Sequence, residues 1–201
     1  MRLYTALKTY LNAINDNDIR VYTNNHLSRA GYSFSDTHGS LYTRSNSRLI
    51  PYIALGIART TDKRVFIFST TDDLSVDIGF ITQMGSSGLM NIFYVLFDTR
   101  IYNECNNMAL PFCDIKEIKG LFVNNGVLIH DYTSYFNNKP VLDVSPMVKN
   151  INGPLATLIS VDKQKCSYDD IPKSRMDIYT LNEFINNVAI GTSQFNPGGL
   201  L

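Results

Sequence analysis

A chain of 201 residues with 44% apolar content is long enough for one core and has the balance of an ordinary globular protein. Eighteen basic residues offset eighteen acidic ones with no basic stripe, which excludes nucleic acid as the main partner, because phosphate attraction needs clustered Lys and Arg. No apolar run of about twenty residues occurs, so no membrane span is expected.

The N-terminal stretch 2–15 places Leu3, Leu7, Leu11 and Ile14 at helical spacing, which predicts an amphipathic helix rather than the unbroken apolar segment of a signal peptide. I-R-V-Y-T-N, residues 19–24, reads as a short strand. Residues 25–47 are polar with no clear period and read as a long functional loop with a short helix inside it. Residues 49–60 read as a largely buried helix with Pro51 in its first turn, where a missing N–H costs little. R-V-F-I-F-S-T, residues 64–70, is the continuous apolar run of a buried parallel strand. Residues 73–85 read as one helix with an acidic first turn and a closing glycine, and 90–98 as a second buried strand. Residues 99–113 are irregular. Then follow a helix at 114–125, a strand at 126–132, a weak helix at 142–152, a strand at 153–163 and an amphipathic helix at 179–189. The expected organisation is a single domain, 1–190, with a flexible tail, 191–201. Alternating strands and helices predict an α/β fold: a three-layer α/β/α sandwich with a mostly parallel sheet.

Cys105, Cys113 and Cys166 form no C-x-x-C pair, and an odd count without framework spacing fits a reducing compartment, so the cytoplasm is the expected location. The three cysteines are not at zinc-ligand spacing to His26, His38 and His130. Ser28, Ser35 and Asp36 lie near His26 and His38, but the G-x-S-x-G elbow of a hydrolase is missing. A G-x-x-x-x-G-K-[ST] phosphate loop is missing too.

In an open α/β sheet, ligands sit past the carboxyl ends of the strands, near a switch in strand order. Two segments qualify: S-T-T-D-D-L at 69–74 and D-T-R-I-Y-N-E at 98–104. Both bring oxygen ligands of the kind a hard cation prefers, and a helix start after the first favours an anion. Asp72 and Asp73 are also ordinary helix-capping residues, and Asp98 needs no function to end an apolar strand.

Four segments, in order, resemble the thiamine-diphosphate-binding C-terminal domain of 2-oxo-acid decarboxylases, nearest to the phosphonopyruvate and sulfopyruvate decarboxylases. They are D-I-R-V-Y-T-N-N-H-L-S-R (18–29), S-N-S-R-L-I-P-Y-I-A-L-G-I-A (45–58), V-F-I-F-S-T-T-D-D-L-S-V-D-I-G (65–79) and V-L-F-D-T-R-I-Y-N-E-C-N-N-M (95–108). The third is similar to the family's strand, G-D-G-S motif and N-L-G helix. The fourth is similar to its L-D-N-x-x-Y segment. G-P-L-A-T-L-I-S-V (153–161) resembles the family's closing strand.

The resemblance implies a thiamine-diphosphate-binding-domain-like fold, with thiamine diphosphate and magnesium as cofactors. It places the metal ligands at Asp72, Thr99 and the Ile101 carbonyl, the diphosphate border at Thr70, Thr71 and Asp73, and the pyrimidine contacts at Ser45, Asn46 and Ser47. Counted back from Gly79, the family's metal-binding Asp falls on Thr71, its metal-binding Asn falls on Thr99, and both motif glycines are replaced. The Glu that engages the pyrimidine ring lies on another domain in the family, which this chain is not expected to contain. The implied assembly is therefore a homo- or hetero-oligomer with a pyrimidine-binding-domain chain, acting on a small 2-oxo acid. The alternative is a non-catalytic descendant, a pseudoenzyme that serves as a structural or assembly subunit without cofactor.

Overall fold

The computed structural model describes residues 2–43, 48–99, 101–102, 108–109, 114–132, 148 and 151–161. In chain order these form α1 (Leu3–Leu11), β1 (Ile19–Tyr22), α2 (Asn25–Phe34), β2 (Ser40–Leu41), α3 (Ile50–Thr60), β3 (Val65–Thr70), α4 (Thr71–Val76) and α5 (Gly79–Ser86). There follow β4 (Ile92–Asp98), β5 (Ile101–Tyr102), β6 (Met108–Ala109), α6 (Ile115–Asn124), β7 (Leu128–Asp131) and β8 (Leu155–Ser160).

Six strands make one sheet in the order β2-β1-β3-β4-β8-β7, and every pairing in it is parallel. β5 and β6 form a separate antiparallel pair. β3 and β4 are buried along their whole length, as expected of central strands covered on both faces. Their side chains alternate between two cores. Phe66, Phe68, Phe93, Val95 and Phe97 meet Leu3, Leu7, Tyr10 and Leu11 of α1 and Leu27 and Ala30 of α2. Val65, Ile67, Ile92, Tyr94 and Leu96 meet Ala54, Leu55 and Ala58 of α3, Phe80, Ile81 and Met84 of α5, and Ile118 and Phe122 of α6. This is the three-layer α/β/α arrangement expected from the sequence. Among the described residues no helix is long and apolar enough to cross a membrane.

The structure corrects the sequence reading at three places, one of which is the β5–β6 pair inside the segment 99–113 that was expected to be irregular. Residues 25–47 are not mainly loop: they hold the ten-residue α2 and the edge strand β2. Asn24 caps α2 by accepting the Leu27 N–H at 2.9 Å, and the buried face of the helix is built from few and mostly small residues, which hides its period. The helix expected at 73–85 is two helices, because Asp77 leaves helical geometry at φ −146° and ψ 85°. The helices expected at 142–152 and 179–189 and the tail 191–201 lie outside the described residues, apart from Val148, Ile151 and Asn152.

The strand order positions the site. From β1 the chain moves outward to β2, then returns past β1 to lay down β3 on its other side. The carboxyl ends of β1 and β3 are thus a topological switch point, where successive connections leave in opposite directions and open a crevice.

Two glycines test the packing between layers. A Cβ at Gly85 would lie 1.6 Å from the Asn125 carbonyl oxygen, whereas one at Gly56 would meet nothing within 4 Å. Gly85→Ala is expected to destabilise the protein by about 1–3 kcal/mol. Gly56→Ala is expected to stabilise it by up to about 1 kcal/mol, because alanine is the better helix former. Urea midpoints of the two variants check both signs.

Candidate functional site

Three strand ends meet at the carboxyl edge of the sheet. β1 runs into Thr23 and Asn24, β3 ends at Ser69 and Thr70, and β4 ends at Asp98 followed by Thr99. All six of these polar residues are buried, as are Thr71 and Asp72. β3 and β4 are paired in register from Val65↔Ile92 to Thr70↔Phe97. That register carries Thr71 and Thr99 to neighbouring positions, and their hydroxyls lie 3.4 Å apart.

The start of α4 is closed by its own side chains. Thr70 and Asp73 form a capping box, with Asp73 accepting the Thr70 N–H at 3.4 Å. The same Asp73 Oδ2 accepts from Thr23 Oγ1 at 2.6 Å, Asn24 Nδ2 at 2.7 Å and Thr70 Oγ1 at 3.1 Å. Asp72 Oδ1 accepts from the Thr70 hydroxyl in a very short contact. Burial pushes the Asp73 carboxyl above the usual carboxylate range and the neighbouring charge of Asp72 adds to this, while the hydrogen bonds from Thr23, Asn24 and Thr70 pull the other way.

Asp72, Thr71, Thr70, Asp73 and Thr99 are therefore drawn into one crevice. Ile101 lies two residues past Thr99, on β5, where it pairs with Ala109. Ser45, Asn46 and Ser47 lie outside the described residues, as do all three cysteines. Sequence reasoning missed Thr23 and Asn24 as members of the site. The signal that could have found Asn24 was its place three residues before Leu27, the N-cap position of an apolar helix face.

The crevice does not fit a magnesium–diphosphate pair. Magnesium wants carboxylate or phosphate oxygen in near-octahedral array. The two facing positions here carry neutral threonine hydroxyls in contact with each other. The carboxylates beside them, Asp72 and Asp73, are engaged by Thr70, Thr23 and Asn24. Glycine would let a backbone come close to a diphosphate, but Thr70 and Asp72 put buried side chains at the two motif-glycine positions. Two acidic side chains would also face the diphosphate's own charge.

The serine, histidine and aspartate side chains near α2 do not assemble a triad. Ser28 Oγ accepts the Thr43 N–H, Ser35 Oγ accepts from Arg20, and Asp36 accepts from the Tyr42 hydroxyl. Burial lowers the His26 pKa and Arg29 lowers it further, while Asp73 opposes both. Among the described residues no group of three or more His, Cys, Asp or Glu side chains is placed to hold a metal ion.

No protein-family model matches this sequence, and no curated protein matches it. Solved structures do match in fold. A protein described as a thiamin diphosphate-dependent enzyme from Mycobacterium smegmatis superposes with a TM-score of 0.59 at 15% identity, over 82% of this chain and 32% of its own. The thiamine diphosphate-dependent 4-hydroxybenzoylformate decarboxylase of Rhodococcus jostii gives 0.58 at 12% identity, over 82% and 33%. Benzoylformate decarboxylase from Polynucleobacter necessarius gives 0.56 at 11% identity, over 82% and 34%. The chain spans about a third of the length of each. At such identities the likeness is one of fold: this chain has the α/β fold found in thiamine-diphosphate-dependent enzymes.

Asp73 makes stability depend on pH. Its raised pKa means the folded chain keeps a proton that the unfolded chain has already released. The stability this group contributes is fully present below the unfolded carboxyl value of about 4 and is lost as pH rises through the higher folded value. Asp73→Asn abolishes the titration. The urea midpoint of the wild type, relative to Asp73→Asn, is expected to fall as pH rises from about 4 to 7. A difference that stays flat or grows over that range would contradict the raised carboxyl.

Proposed function

We propose that this chain is a non-catalytic descendant of the thiamine-diphosphate-binding domain of 2-oxo-acid decarboxylases, acting as a structural or assembly subunit that carries no cofactor. One observation carries the reading. At the two positions where the resemblance puts a metal-binding carboxylate and amide, threonine hydroxyls touch each other at 3.4 Å. The capping box and the threonine side chains engage the nearby carboxylates, so neither magnesium nor a diphosphate has a ready set of ligands.

The partner we propose is a pyrimidine-binding-domain chain, in the cytoplasm. Leu49 and Ile53 at the start of α3 and Ile78 before α5 expose 67%, 46% and 40% of their surface. They flank one contact, since a Cβ at Gly79 would lie 3.5 Å from the Tyr52 hydroxyl and the Tyr52 ring meets Phe80 edge-on at 5.5 Å. Exposed apolar side chains on segments that meet favour a protein partner. The balanced charge favours one over nucleic acid.

A second reading has one observation in its favour. The convergence of Thr71 and Thr99 keeps the strand-end arrangement of a cofactor site. In that reading the chain is the diphosphate-side subunit of a decarboxylase of a small 2-oxo acid, of the phosphonopyruvate or sulfopyruvate type. Thiamine diphosphate would then supply the electron sink, and Asp72, Thr99 and the Ile101 carbonyl would face the metal.

Titration calorimetry of the purified complex with thiamine diphosphate and magnesium separates the two. No binding heat is expected, and micromolar affinity would establish the second reading instead. Ile53→Glu combined with Ile78→Glu is expected to release the partner in size-exclusion chromatography. Surface changes of this kind cost the chain itself under about 1 kcal/mol for the pair, so an assembly that survives them would place the interface elsewhere.

A further inference from the structure

A switch point is a weak place in a parallel sheet. The chain leaves the ends of β1 and β3 in opposite directions, so the connections themselves do not tie those ends together. The last backbone bond between them is Thr23 N–H to the Phe68 carbonyl, at 3.1 Å. Beyond it Thr23 Oγ1 donates to the Phe68 carbonyl at 3.1 Å and Asn24 Nδ2 to Thr70 Oγ1 at 3.3 Å, and the shorter side-chain bonds converge on one atom. Asp73 Oδ2 accepts from Thr23 Oγ1 at 2.6 Å and Asn24 Nδ2 at 2.7 Å, both just past β1, and from Thr70 Oγ1 at 3.1 Å at the end of β3. Asp73 itself belongs to α4. Asn24 also caps α2 through Leu27, so one carboxylate joins β1, β3, α4 and the start of α2.

A helix cap needs only the Thr70 half of this network. The Thr23 and Asn24 bonds span 50 and 49 residues of sequence and add nothing to capping α4. They do what a ligand bound across the crevice would do, which is to hold two diverging strand ends from a common point. We propose that Asp73 is an internal cross-link that takes the place of a ligand at the switch point and holds the crevice together with nothing bound. The proposal rests on the cofactor-free reading given above.

The test uses the full chain, with thermal unfolding and hydrogen–deuterium exchange read by peptide. Asp73→Ala is expected to lower Tm by roughly 3–8 °C, and to speed exchange in two separate stretches, 19–27 and 70–76. Asp73→Asn keeps a carbonyl oxygen for the Thr23 and Asn24 donors and is expected to restore most of the protection in 19–27. Thr23→Val removes one arm from the β1 side, together with the Thr23 hydroxyl bond to the Phe68 carbonyl, and leaves the capping box intact, so its effect on 19–27 counts for the cross-link only where it is lost in the Asp73→Ala background. It is expected to speed exchange in both stretches to a smaller degree. Phe68 lies outside 70–76, so faster exchange there keeps the proposal testable if Asp73→Ala does not fold. Faster exchange in 70–76 alone would mean that Asp73 only caps α4 and would overturn the cross-link, as would unchanged Tm and exchange. A rise in wild-type Tm with thiamine diphosphate and magnesium would instead overturn the cofactor-free premise, and the exchange pattern of Asp73→Ala without added ligand would still report on the cross-link by itself.

Discussion

The parallel register of β3 against β4 is the constraint on which the rest of the structure depends. The two strands are paired from Val65↔Ile92 to Thr70↔Phe97 and are buried on both faces. A slip of one residue would turn one strand over relative to the other and send either Phe66 and Phe68 or Phe93 and Phe97 into the core of the opposite layer. That cannot be absorbed, because Phe66 stacks on Phe93 at 4.8 Å and Phe68 on Tyr22 at 5.2 Å. The core therefore sets the register, and the register sets what meets at the carboxyl edge. Thr71 and Thr99 touch because the aromatic residues beneath them pack in one way.

The electrostatics of that edge then decide what it can hold. Threonine at both facing positions brings no charge that would attract a divalent cation, and Asp72 and Asp73 are met by hydrogen-bond donors instead. An anion brought to the crevice would face two acidic side chains in a poorly solvated place, where such interactions are strong. Hydrogen bonds meet these carboxylates, and burial together with the Asp72 charge raises the Asp73 pKa. The site geometry and the charge balance point the same way, although one comes from strand register and the other from side-chain chemistry.

What could be read in the sequence follows from how far each signal extends. β3 and β4 were legible as unbroken apolar runs, and α3 from its helical period and Pro51. The meeting of segments 69–74 and 98–104 was legible from the order of elements, since both follow central parallel strands. α2 was not: its buried face uses one leucine, Leu27, and the small Ala30 and Gly31 among polar residues. Gly31 is needed there because a Cβ would lie 2.3 Å from the Tyr22 ring, a contact made 9 residues away along the chain and invisible to local pattern. The Asp77 break was hidden for the opposite reason, because Leu74, Ile78 and Ile81 continue the apolar spacing through it. The bonds from Thr23 and Asn24 to Asp73 depend on β1 lying beside β3, which a period or a motif cannot supply.

A functional site usually costs stability, because it keeps polar groups unpaired and backbone uncovered for a ligand. The residue at the end of β3 is a β-branched threonine, which suits a strand better than glycine. The first turn of α4 satisfies its own N–H groups through a capping box. The carboxylate one turn into the helix takes up the donors that β1 presents. Each of these features meets within the chain a need that a bound ligand could also meet. Consistent local choices of this kind are the mark of selection for folding. At the carboxyl edge of this sheet, among the described residues, they hold together.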